Sequence, residues 1–177
     1  MKNFLKIKLL LIMTITGCDK NDNESDDSSN YIEVITHDID AANSNGFYYN
    51  LSLGAETDSS DSWHISFQMI PVVSGNSTYM MPSLVLGEVN AAEYSNIAFE
   101  NFEAIPSSFN QDYFQDASVV HYGGSNEVLS YNMQIHKVSV TAPERVFVFK
   151  DIITNSYFKV QFIEYVSGII SFKYSLL

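Results

Sequence analysis

Arg145 to Leu177 reads RVFVFKDIITNSYFKVQFIEYVSGIISFKYSLL, and the spacing of its apolar residues decides the fold. Val146, Val148 and Lys150 point one way and Phe147 and Phe149 the other, so the first strand is expected to be buried on both faces at its middle. Asn155-Ser156 supplies a turn. Phe158, Val160 and Phe162 then alternate with Lys159 and Gln161, the period of a half-buried strand. Ser167-Gly168 turns the chain again, and Ile170, Phe172 and Tyr174 alternate with Ser171, Lys173 and Ser175. A helix would need apolar residues three and four apart, and the segment is too rich in β-branched and aromatic residues for one. The reading is a β-meander of three strands.

Working outward, the same period recurs. YIEVITH from Tyr31 alternates, and so does Phe47 to Leu53, with Phe47, Tyr49, Leu51 and Leu53 on one face. After the linker AETDSSDS, Trp63, Ile65, Phe67 and Met69 alternate with His64, Ser66 and Gln68, which places His64 on a solvent-facing strand surface. Pro71 should end regular pairing or mark an edge. Residues 74–83 (SGNSTYMMPS) read as a loop carrying Tyr79, Met80 and Met81, with a short strand at Leu84-Val85-Leu86. Asn90-Ala91-Ala92-Glu93 has the N-cap and N3 residues of a helix start, and residues 105–117 fit a short helix after Ser107 or an irregular loop. Val128 to Met133 and Ile135 to Val140 read as β segments, and Pro143 precedes the meander. The expected fold class is therefore all-β, mostly antiparallel, with one or two short helices.

Residues 1–17 read as an export leader. Lys2, Lys6 and Lys8 form a basic start, and Leu9 to Ile15 an apolar run too short to span a bilayer. Ile15-Thr16-Gly17-Cys18 fits a bacterial lipobox, in which Cys18 would carry the lipid; the bland alternative is an ordinary leader with a chance cysteine. Cys18 is the single cysteine, so no internal disulfide forms and lipidation would leave no thiol for catalysis or metal binding. Residues 18–30 (CDKNDNESDDSSN) are acidic and polar and are expected to be a solvated tether. Residues 31–177 form the one domain, a length that suits a real core. The 12 Phe and 11 Tyr suit a sheet protein that packs on rings.

The net charge is −12, and losing Lys2, Lys6 and Lys8 with a leader would take it to −15, six cations against 21 acids. Such a field argues against nucleic acid as a partner. No HExxH, GxSxG, P-loop or strand-borne GxGxxG is present, and the acids show no placement that favours glycoside hydrolysis. An enzyme is therefore not expected.

Two blocks carry a family resemblance. RVFVF, YFKVQFIEY and IISFKYSLL, with the upstream FYYNLSLGAETDSSDSWHISFQM, resemble the strands of the HmuY family, haem-binding lipoproteins of Bacteroidetes-type bacteria. The resemblance covers about 55 residues in two separated blocks and leaves roughly 70–130 unaligned. It implies an HmuY-like β domain that binds haem or a related porphyrin by axial Met or His, for haem and iron acquisition. It also implies an outer-membrane haem transporter as a partner. Acids after the lipid Cys resemble a signal for export to the cell surface; here Lys20, Asp22 and Glu24 are similar. A plain spacer on the periplasmic face is the alternative.

Side chains able to ligate iron are His37, His64, His121, His136, Met69, Met80, Met81 and Met133. In the family one axial ligand precedes the RVFVF-like strand by about a dozen residues, which here points to Met133 in SYNMQIHKVS. His136 follows three residues later and would face the other side of a strand, whereas Tyr131 would share Met133's face. The second ligand has no clear match: His121, beside Tyr122-Gly123-Gly124, is the nearest candidate, and Met80 and Met81 are the alternatives. Haem propionates are anionic, and Lys137 and Arg145 flank the ligand segment. The competing reading is a surface interaction module of the same fold that lacks haem binding.

Overall fold

A computed structural model gives the fold and describes residues 30–110, 113–114 and 122–177. The leader, Cys18 and almost all of the tether lie outside the described residues.

The meander forms as its spacing requires. Strands β9 (Val146–Asp151), β10 (Tyr157–Val166) and β11 (Ile169–Leu176) pair antiparallel in sequence order. Numbering from the chain start, they follow β1 (Ile32–Ile35), β2 (Phe47–Asn50), β3 (Ala55–Thr57), β4 (Ile65–Ser74), β5 (Ser77–Leu86), β6 (Val89–Tyr94), β7 (Leu129–Asn132) and β8 (Lys137–Val140). A five-stranded sheet has the order β1-β11-β10-β9-β6, a four-stranded sheet the order β3-β2-β4-β5, and β7-β8 is a separate hairpin. The β10–β11 turn has Ser167 at φ 49° and Gly168 at φ 84°, the two left-handed residues that a twisted two-residue hairpin demands. Any side chain at Gly168 would also strike the Asp38 carboxylate.

The two sheets face each other through rings. Tyr49 and Phe172 meet edge to face at 5.6 Å, Phe67 and Phe162 at 6.1 Å, and the Tyr49 and Tyr174 hydroxyls lie 3.3 Å apart. Such pairs add roughly 0.5–1.5 kcal/mol each beyond their buried area. β9 is buried on both sides: Phe147 and Phe149 join this core, whereas Val146 and Val148 pack outward under Phe99 and Phe102. Phe99–Asn101 is a 3-10 turn, the only helical element among the described residues. Lys159 fastens it, donating to the carbonyls of Phe99 at 2.9 Å and Phe102 at 3.0 Å.

Three expectations give way. The helix from Asn90 does not form, because Val89–Tyr94 pairs with β9 and buries Val89 and Ala91. An N-cap signal is worth about 1 kcal/mol, and no apolar stripe at helical spacing supported it. The loop expected over 74–83 shrinks to Gly75-Asn76, with ten residues of β4 paired to ten of β5. Pro71, by contrast, meets the second of its two expectations: it does not end β4 but marks an edge, lying beyond the reach of β2 where β4 is paired on one side alone.

His64 is the third case. It sits at a bend before β4 begins and is buried, 2% exposed, against Phe158. Its Nδ1 accepts the Leu51 N–H at 3.0 Å, and its Nε2 is 3.4 Å from Asp151 Oδ2. Burial holds its pKa below the ordinary 6.5, against the pull of Asp151 and Glu88. Burial opposes the charge on Asp151 too, yet hydrogen bonds from Thr154 and Ile153, with His64, hold its carboxyl below the usual range. The pair ties the start of β4 to the end of β9.

Candidate ligand-binding surface

The β7–β8 hairpin closes through a four-residue turn, Met133 to His136. Asn132 makes the turn: its side-chain oxygen accepts the N–H groups of Gln134 at 2.9 Å and Ile135 at 3.3 Å. His136 completes it in the left-handed region, at φ 50°. Met133 and His136 therefore share one turn rather than opposite faces of a strand. The Tyr131 hydroxyl lies 2.8 Å from His136 Nδ1, which fixes the imidazole over the turn.

The chain just upstream is stitched alongside. Gly124 accepts the Tyr131 N–H at 2.9 Å, Ser125 bridges Ser130, and the Asn126 side chain accepts the N–H groups of Val128 and Leu129. This seats Gly123 directly beneath the Met133 sulfur, so that a larger residue there would push the thioether aside. Gly123, at φ 102°, is favoured by its left-handed backbone. Tyr122 stacks on Tyr79 of β5 at 4.4 Å and 24°, and its ring lies 5.6 Å from Tyr131. A hydrogen bond to Tyr131 pushes the Tyr122 hydroxyl pKa up.

Two regions remote in sequence so build one surface: the end of the β4–β5 hairpin, and the 122–126 stretch with the β7–β8 turn that follows it. It presents a thioether 51% exposed and three tyrosine rings, of which Tyr79 is 39% exposed. Arg145 holds its base. The guanidinium donates to the carbonyls of Glu127 and Thr141 and, at 3.0 Å, to the carboxylate of Glu93 on β6, and it lies over Phe147. Arg145, expected as a cation for propionates, is committed to the scaffold instead.

The other candidates separate. Met80 and Met81 are neighbours on β5 and so point to opposite faces. Met81 packs in the core, and Met80 is exposed beside a cleft of about 340 Å³ with Met69, Gly46 and Asp40. His121 lies outside the described residues, though its successor Tyr122 is in the ring cluster. His37 is exposed, 3.4 Å from Glu56, in an open cleft of about 840 Å³. Among the described residues no group of three or more His, Cys, Asp or Glu side chains is placed to hold a metal ion. The Tyr79–Tyr122 stack is the feature that sequence reasoning missed. The one local signal was the Tyr122-Gly123-Gly124 run.

Two facing antiparallel sheets that carry a surface of rings and a thioether on hairpins define a β-sandwich-like fold. The family model described as HmuY protein matches residues 42–174, and the chain belongs to the HmuY family. At the level of the family, membership suggests a haem-binding, non-enzymatic lipoprotein. No curated protein and no solved structure matches the chain.

Proposed function

We propose that the chain is a cell-envelope lipoprotein that takes haem or a related porphyrin against the tyrosine surface, for haem and iron acquisition. Met133 supplies one axial thioether and His121 the other ligand. The observation that carries this reading is the Met133 sulfur held over Gly123 at the edge of the Tyr79, Tyr122 and Tyr131 cluster, half exposed. The residues fit the group in kind: a soft donor for iron beside flat apolar faces for the macrocycle. Bound haem would supply an iron with open axial positions; the chain's part is to offer the sulfur and exclude water from one porphyrin face.

The test is a haemin titration of the full-length chain in detergent micelles, with empty micelles as blank. A Soret shift supports the reading, and its absence leaves a surface interaction module of the same fold. Thioether sulfur favours ferrous iron, so binding should tighten on reduction. Met133→Ala should remove most of the reduced-state change and His136→Ala little of it. The opposite pattern hands the role to His136, and an effect confined to a Met80/Met81 double substitution moves the site to β5. Lipid attachment at Cys18 is tested by labelling cells with a palmitate analogue; equal labelling of Cys18→Ala would exclude it.

A further inference from the structure

The described part of the chain has five Lys and Arg side chains, and four of them are committed. Arg145 pairs with Glu93, Lys173 pairs with Glu100 at 2.7 Å, Lys159 caps the 3-10 turn, and Lys150 sits 5.9 Å from the centre of the Tyr157 ring. All four are partly covered. Lys137 is different: it is exposed and has no partner among the described residues. It directly follows His136 and lies opposite Asn132 in the hairpin register, at the mouth of the turn that carries Met133. The one uncommitted described cation of a protein with net charge −12 therefore stands on the rung next to the turn that carries Met133.

We propose that Lys137 reads the carboxylate groups of the ligand, so that this surface selects an anionic porphyrin over an uncharged one. The inference rests on the porphyrin reading above. An ammonium on a flexible stem suits this task, because the carboxylates of a porphyrin hang on flexible chains and need a point charge rather than a fixed fork. A carboxylate docked there also meets a local positive field that the rest of the acidic surface does not offer.

Haemin and its dimethyl ester separate the claims, titrated into the wild-type chain, Lys137→Gln and Lys137→Glu at low and high salt. Wild type should prefer haemin over the ester. Lys137→Gln should weaken haemin by about two- to five-fold, the range of an exposed ion pair, and leave the ester unchanged. Lys137→Glu should weaken haemin further, and both losses should shrink in high salt. Equal losses for haemin and ester would make Lys137 a structural residue, and no loss for either would remove it from recognition; both overturn this inference alone. Failure of wild type to bind either compound overturns the porphyrin reading itself.

Discussion

The meander and the ligand surface are both made of β-strands and aromatic rings, yet they are held together differently. In β9–β11 the rings are sealed: Phe147, Phe149, Phe162 and Phe172 are no more than 2% exposed, and their sheet is paired through long registers. In the tyrosine surface the rings are partly open, the hairpin has four residues a side, and it is attached by one packed face (Leu129, Val138 and Val140 on the core) together with the Arg145 guanidinium. Burial fixes the first region. One buried face and the Arg145 hydrogen bonds fix the second, and its outer rings stay partly exposed.

The contrast is most severely tested at Phe172. Its ring packs against Tyr49, Phe67 and Phe162. Phe172→Ala should cost roughly 3–5 kcal/mol in a urea melt, as large-to-small core changes do. A loss under about 1 kcal/mol would contradict the sealed core. Next is Arg145→Ala, expected to cost about 1–3 kcal/mol from lost charged hydrogen bonds, discounted because the pair is partly exposed. Haem affinity should fall with it although Arg145 touches no ligand; unchanged affinity would mean that the hairpin holds its place without the anchor.

The His64–Asp151 pair gives the joined sheets a pH dependence of known sign. His64 has its folded pKa depressed, so the unfolded chain takes up the proton first as pH falls. Stability from this group is complete above about 6.5 and is lost below it; Asp151, also depressed, adds a loss below its ordinary 3.8. The unfolding midpoint should drop between pH 7.5 and 5.5 in wild type and drop less in His64→Gln. Equal slopes would remove His64 as the cause. The smallest stability change is expected at Tyr79→Ala, on the order of 1 kcal/mol or less for an open ring stack. That substitution should still weaken porphyrin binding, and a melt shift without a binding change would place Tyr79 in the scaffold.

How far the sequence reveals these two regions follows from the same contrast. β9 was legible because Val146 to Phe149 is an unbroken apolar run, and an unbroken run means cover on both faces. β5 was not: Ser77, Thr78, Tyr79 and Met80 are exposed at one end of a ten-residue strand, so local composition imitates a loop and only pairing with β4 reveals it. Asn90 and Glu93 imitate a helix start for a similar reason, since capping signals are local and the partner strand is 60 residues away. His64 misled because strand periodicity does not apply to a residue still in the bend. Met133 was pointed to by the family resemblance, and nothing local showed that it would sit in a turn. Tyr79, Tyr122 and Tyr131 come from two separate regions, and nothing local says that they touch.

One feature of the larger sheet bears on how the molecule would respond to force. The chain enters through β1, a four-residue edge strand whose only sheet partner is β11, the last strand. A pull on the residues before Asn30 therefore loads the Tyr31 ring, packed on Phe99 and Lys173, and then the four rungs of one ladder. Those rungs run from Ile32 opposite Tyr174 to Ile35 opposite Ser171, and three of the four β1 side chains are exposed. Such a strand can peel from the edge while β9 to β11, the opposing sheet and the tyrosine hairpin stay assembled. Under tension from its N-terminal side the molecule would lengthen by one short strand and keep its ligand surface intact.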